Sequence, residues 1–150
     1  MNDPIALLKK DHREAETLLK RLSETKKPST RRQQTLSKLE SALQLHMAIE
    51  EQLLYPVVTK HLGAEPTKEA EIEHVLGRDG LTKMRQLVDK PGFGAAVEMV
   101  TAGIKHHVKE EETEMFPKLK KKLSREDLRE LGDAIAAMKK SAPKPARKAA

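Results

Sequence analysis

The sequence predicts an all-α fold, an up-down-up-down four-helix bundle with a short fifth C-terminal helix. Three observations predict it. The composition is helical, with 35% charged residues, one Tyr and two Phe, and no long alternating run of β-branched residues that would argue for a strand. Apolar residues recur every three or four positions through four long segments, which is the period of one helix face. Short breakers built around Pro and Gly separate those segments, so neighbours in sequence become antiparallel neighbours in space.

The 150 residues suit one domain with its own core. That domain is expected over residues 1–138, followed by a disordered basic tail over residues 139–150. The net charge is +6, but Lys139, Lys140, Lys144, Arg147 and Lys148 all lie in that tail and no acid does, so the body is close to neutral. Cysteine is absent, which excludes disulfides, thiolate ligands and a zinc finger. No apolar run approaches the length of a bilayer span, and the N-terminus lacks the apolar stretch of a signal peptide, so no membrane association and a cytoplasmic location are expected.

The first helix starts at Asp3, a good N-cap, with Pro4 at the first helical position, where a missing N–H costs nothing. Its apolar stripe of Ile5, Leu8, Ala15, Leu19 and Leu22 also contains His12, and the helix should stop before Pro28. The second spans about residues 29–62, with the stripe Leu36, Leu39, Leu43, His46, Glu50, Leu53 and Val57, and Pro56 should kink it. The third spans about residues 66–89, with Ala70, His74, Gly77, Leu81, Met84 and Val88 on one face. Gly77 and Gly80 weaken it by roughly 1 kcal/mol each relative to Ala. The fourth spans about residues 93–123 and carries Val97, Val100, Ile104, His107, Glu111, Met115 and Leu119, a register that selects His107 over His106. In the fifth, Ser124 and Asp127 form a capping box, and Leu128, Leu131, Ile135 and Met138 dock it on the bundle.

The chain is organised around a stretch that occurs twice. HMAIEEQLLYP (residues 46–56) and HVKEEETEMFP (residues 107–117) match at an offset of 61 residues: His, three residues, Glu-Glu, three residues, an aromatic, Pro. A His and a Glu four apart lie one above the other on a helix face and can hold a metal ion from one side. The turns bring the pairs together. His12 and His46 are equidistant from the turn at Pro28 and Ser29, His74 and His107 from the turn at Lys90 to Gly92, and Glu50 and His74 from the turn beside Gly63. All six candidate metal ligands, His12, His46, Glu50, His74, His107 and Glu111, therefore fall at one level of the bundle. That level lies roughly 20 Å from the second turn, at the helical rise per residue.

Buried carboxylates and imidazoles are costly unless paired, so such a layer in a leucine core argues for a bound cation. Mixed imidazole and carboxylate ligands suit iron, manganese or zinc, and two carboxylates able to bridge suit a pair of ions. The ferritin-like di-iron pattern is excluded, because Glu71-x-x-His74 has no second copy.

The ordered set of His12, His46-x-x-x-Glu50, His74 and His107-x-x-x-Glu111, with Tyr55-Pro56 and Phe116-Pro117 flanking the pairs, resembles the HHE cation-binding domain of the hemerythrin family over about residues 3–123. The resemblance implies a non-haem di-iron centre: two iron ions bridged by the two carboxylates and an oxo or hydroxo group, open to O₂, NO or peroxide. Two departures point away from reversible oxygen carriage and towards sensing, scavenging or iron handling. Arg78 stands where the oxygen carriers have a second third-helix His, and Glu111 and Glu112 stand in place of an Asp five residues after the last His. The other reading of the same ligands is an iron-binding storage or regulatory protein without redox chemistry.

The neighbouring residues have plainer readings. Glu16, His61 and His106 are read as exposed, and Glu51 and Glu112 as groups behind the ligands or on the surface, with Glu112 the better substitute ligand. Tyr55 points away from His46 on a straight helix and is read as packing or exposed. Arg78 is read as the partner of a glutamate, and Gly77 as serving either close helix packing or room for a small ligand. The basic tail supports at most weak, salt-sensitive, non-specific nucleic-acid binding.

Overall fold

The computed structural model describes residues 2–143. Helix α1 (Pro4–Ser23) begins at Asp3, whose carboxylate accepts from the backbone N–H groups of Ile5 and Ala6. Helix α2 (Thr30–Ile49) begins at Ser29 and passes through a π turn, Glu50–Leu54, into α3 (Tyr55–Leu62). Helix α4 is Glu65–Gln86. Helix α5 (Phe93–Glu110) passes through a second π turn, Glu111–Met115, into α6 (Phe116–Lys122). Helix α7 (Arg125–Ser141) starts at the capping box of Ser124 and Asp127. The chain reverses between α3 and α4 at Gly63 and between α4 and α5 at Gly92, whose φ values of 88° and 97° lie in the left-handed region that glycine enters without a Cβ penalty.

The elements form the expected four-rod bundle. Helix α1 packs along α2 and α5, α4 along α5 and α3, and α7 lies across α1 and the first π turn. The core divides in two. One cluster fills the end near the α1–α2 and α4–α5 turns, with Leu18, Leu22, Leu36, Leu39, Met84, Phe93 and Val97. The other fills the opposite end, with Leu8, Ile49, Leu54, Val58, Phe116 and Leu119, and takes in Leu131 and Ile135 of α7. The polar layer of histidines and glutamates lies between them. Buried Arg32 ties the first end together: its guanidinium donates to the carbonyls of Val88 (3.0 Å) and Thr25 (2.9 Å) and lies 4.4 Å from the Phe93 ring centroid. At the other end α7 meets the chain start so closely that a Cβ on Gly132 would stand 1.7 Å from the Asn2 carbonyl oxygen.

Three features depart from the sequence expectation. Helix α7 runs through Ser141, so Lys139 and Lys140 are helical where a disordered tail was expected to begin, and Lys139 pairs with Asp11. The remainder of the tail, with its expected nucleic-acid contact, lies outside the described residues from 144 onward. The helices through Pro56 and Pro117 continue through π turns that end two residues before each proline. A proline ring collides with the carbonyl four residues back in a regular α-helix, and the wider turn moves that carbonyl aside. The extra residue also shifts the stripe: Leu54 and Val58 are buried, and Leu53 and Val57, expected inside, are only partly so. Helix α1 ends at Ser23, before Pro28 as expected, and α4 ends a few residues short of expectation, at Gln86.

Candidate metal centre

All six predicted ligands meet in one layer. Glu50 and Glu111 are 0% and 1% exposed, His12, His46 and His74 are buried, and His107 is the most open. They form two donor groups that share Glu50: His12, His46, Glu50 and Glu111 in one, and Glu50, His74 and His107 in the other. Each group has its donor atoms within 4.8 Å of one another, close enough for a single cation. Glu50 spans the two, with Oε2 at 3.2 Å from His46 Nε2 and Oε1 at 3.0 Å from His74 Nε2. Glu111 Oε1 lies 3.2 Å from His12 Nε2 and 3.3 Å from His107 Nε2.

Behind each imidazole stands a carboxylate. Nδ1 of His12 meets Glu112 at 2.6 Å, that of His46 meets Asp11 at 3.0 Å, that of His74 meets Glu51 at 2.6 Å, and that of His107 meets Glu73 at 2.8 Å. Behind each carboxylate in turn stands a cation or a further imidazole: Arg13 on Glu112, Lys139 on Asp11, Arg78 on Glu51 and His106 on Glu73. Partial burial pushes the pKa of all four carboxylates up, but their imidazole and cation partners outweigh it and hold them below the ordinary carboxylate range. A carboxylate that accepts from Nδ1–H fixes the ring and turns its Nε2 lone pair inward, which is how metal-binding histidines are oriented. Glu51 and Glu112 belong to this outer ring, so Glu112 does not reach the centre as a substitute ligand. Asp11 and Glu73 were not anticipated. Each immediately precedes a ligand histidine, but it serves the histidine of the neighbouring helix.

The chemistry of this layer fits a cation. His12 Nε2, His46 Nε2, Glu50 Oε2 and Glu111 Oε1 are buried and have no hydrogen-bond partner, although the His12–Glu111 and His46–Glu50 pairs stand only 3.2 Å apart and are not aligned to bond. Burial opposes the charged form of His46, but Glu50, Asp11 and Glu111 outweigh it and raise its pKa to about 10. Burial likewise opposes the charge on His107, and Glu111, Glu50 and Glu73 raise it to about 12. Glu50 is pulled well below its ordinary range, because His46, His107 and His74 outweigh its desolvation. The carboxylates thus draw protons onto the imidazoles, and a metal ion supplies the same positive charge at the same atoms.

The two π turns aim two further side chains. Tyr55 is buried, contrary to the straight-helix expectation, because the π turn adds one residue before it. Its hydroxyl oxygen sits 2.9 Å from Glu111 Oε2, 3.2 Å from Glu50 Oε1 and 3.1 Å from His74 Nε2. Burial and then the two carboxylates push its pKa far up, so it is a neutral phenol in the absence of a cation. Phe116, its counterpart in the second copy, is stacked on His12 with a centroid distance of 6.0 Å. The paired aromatic-proline motif was the available signal for both.

The remaining expectations divide. Arg78 pairs with Glu51 at 2.8 Å, the plain reading. His106 is exposed and pairs with Glu73 and Glu110, and Glu16 pairs with Arg13 on the surface. Gly77 serves space more than close packing: a Cβ there would meet only Met47 Sδ, at 4.0 Å. Gly80 is the close approach, since its Cβ would stand 2.6 Å from Val100 Cγ2. No helix among the described residues is long and apolar enough to cross a membrane.

The sequence matches the family described as the hemerythrin HHE cation-binding domain over residues 3–119. A search of curated proteins finds no match. Among solved structures, the chain is similar to a hemerythrin HHE cation-binding domain-containing protein from Mycobacterium kansasii, with 26% identity and a TM-score of 0.80 over 93% of this chain and 86% of that one.

Proposed function

The chain belongs to the hemerythrin HHE cation-binding family, and from that premise we propose that it is a non-haem di-iron protein that binds or reacts with O₂, NO or peroxide, in sensing or scavenging. One observation carries this reading: the donor atoms fall into two groups that share Glu50, with four of those atoms buried and unpartnered. In the proposal His12, His46, Glu50 and Glu111 would hold one iron and Glu50, His74 and His107 the second, with an oxo or hydroxo group as a further ligand. Bound iron supplies a redox couple and an exchangeable coordination position, which O₂, NO and peroxide chemistry requires.

The protein's own residues do the rest. Asp11, Glu51, Glu73 and Glu112 hold each imidazole at Nδ1 and keep its proton on the outer side. Tyr55 holds a proton at its hydroxyl between Glu50 and Glu111, where it is placed to donate to a small ligand. The leucine-rich clusters pack on both sides of the layer and leave its donor atoms buried. A chain without cysteine suits a reducing cytoplasm, which the proposal takes as its location.

The test is to mix the reduced, iron-loaded protein with O₂ or peroxide and follow its near-ultraviolet and visible absorption. A rapid spectral change is expected. An unchanged spectrum would remove the small-molecule chemistry and leave an iron-binding storage or regulatory protein.

A further inference from the structure

A cavity of about 560 Å³ lies between α1, α2, α4 and α5 on one side of the donor layer. His12, His46, His74 and His107 line it where it meets the donor layer, with Asp11 and Glu73 beside them, and Leu43, Met47, Leu81, Val100 and Ile104 line its walls. Leu76 and Met99 also line it and are 65% and 76% exposed, so they mark the mouth. Its volume falls within the ~300–1,000 Å³ of pockets that hold organic ligands and far exceeds the ~30 Å³ share of one water, which is the scale of a diatomic ligand. Exchange of O₂, NO or peroxide does not explain so large an apolar space.

The glycines give a second, independent indication. Gly77 and Gly103 both line the cavity in helix interiors, where glycine is less stable than alanine. Neither has a positive φ. A Cβ at Gly77 would meet nothing closer than Met47 Sδ at 4.0 Å, and one at Gly103 nothing within 4 Å. Neither backbone conformation nor close packing calls for glycine at these positions. What the missing side chains do is keep the wall and mouth open.

We infer that this cavity binds an elongated apolar molecule with one carboxylate head, of the size and kind of a medium-chain carboxylic acid. The apolar body lies among Leu43, Met47, Leu81 and Val100, and the head points to the imidazole end. The apolar walls reject a polar body. The choice of an anionic head rests on the di-iron reading of that end, where bound cations attract it. The placement of the body rests on the cavity alone.

The experiment is calorimetric titration of the iron-loaded full chain with decanoate and with acetate, alongside azide binding followed by absorption. Decanoate should bind more than about tenfold tighter than acetate, because only its chain reaches the walls. Gly77→Leu and Gly103→Leu should each weaken decanoate by about tenfold or more and change azide binding by less than about twofold. Unimpaired azide binding certifies that a filled variant is folded. Equal affinity for decanoate and acetate would overturn the proposal, as would undiminished decanoate binding in both filled variants. Failure of the di-iron reading looks different: azide gives no spectral response in the unmodified chain, while decanoate still binds and still responds to Gly77→Leu.

Discussion

The two halves of the donor layer follow one repeated pattern, and one difference between them is a hydroxyl: Tyr55 in the first copy, Phe116 in the second. Offsets of 61 or 62 residues carry His12 onto His74, Asp11 onto Glu73, His46 onto His107, Glu50 onto Glu111, Glu51 onto Glu112 and Tyr55 onto Phe116. The outer carboxylates follow the same pseudo-symmetry, each half lending Glu51 or Glu112 to a histidine of the other. Two positions break it: Asp11 answers to Glu73, and Tyr55 to Phe116. Beside His74 the Tyr55 hydroxyl bonds within the layer, whereas beside His12 the Phe116 ring offers none. Among the described residues, the four unpartnered buried atoms all belong to the donor group of His12, His46, Glu50 and Glu111, where Phe116 lies against His12. A duplicated scaffold thus presents one donor group with four unpartnered buried atoms and, between it and the other group, a hydroxyl that bonds to Glu111, Glu50 and His74. If both groups hold iron as proposed, the four-donor and the three-donor group would serve unequal roles, and Tyr55 stands beside the smaller one.

The largest test of this comparison removes what the halves share. Glu50→Gln keeps the shape and removes the charge, leaving His46, His74 and His107 without their common partner. Iron content should fall to a small fraction of the unmodified level, and the metal-free protein should lose about 3–5 kcal/mol of stability, the scale for breaking a buried ion pair. Full iron retention would mean that Glu50 does not join the halves. Next in size is the pH dependence of the metal-free protein. Folding raises the proton affinity of His46 and His107, so their stabilisation is complete below the ordinary imidazole pKa of 6.5 and is lost as pH rises through about 10 and 12. Thermal unfolding should therefore move to lower temperature between pH 6.5 and 10, and iron affinity measured by chelator competition should rise over the same window as metal displaces those protons. A melting temperature that climbs across it would contradict the assignment.

Tyr55→Phe gives both halves the same aromatic. Loss of one buried hydroxyl should cost about 1–2 kcal/mol, leave iron content intact, and slow the peroxide reaction more than it slows azide binding, because only the former uses a proton. Equal slowing of both would make Tyr55 a packing residue. The smallest effect belongs to Arg78→Ala. Its pair with Glu51 is at the surface, with Arg78 itself 43% exposed, so stability should change by less than about 1 kcal/mol and azide binding should be unaltered. A tenfold loss of azide binding would instead place Arg78 at the ligand.

That the six residues meet in one layer was legible because each replaces an apolar residue on an inward stripe, and because the turns at Pro28, Gly63 and Gly92 set the heights of the helices. What lay past Glu50 was not, because helical periodicity assumes a constant turn. One extra residue in each π turn carries Tyr55 to the centre and moves burial from Leu53 to Leu54. Asp11 and Glu73 were hidden for a different reason. An acid beside a histidine on a charged helix usually faces water, and the partners of these two, His46 and His107, stand on the next helix, 35 and 34 residues away. The start of the tail was misjudged because Lys139 has no apolar reason to remain helical; its partner, Asp11, is 128 residues away.

The central claim is that two cation sites share Glu50, and the most direct measurement is the iron content of the natively purified protein together with its absorption in air. The account predicts about two irons per chain and an oxo-bridged charge-transfer band. One ion per chain, or zinc with no such band, would contradict it.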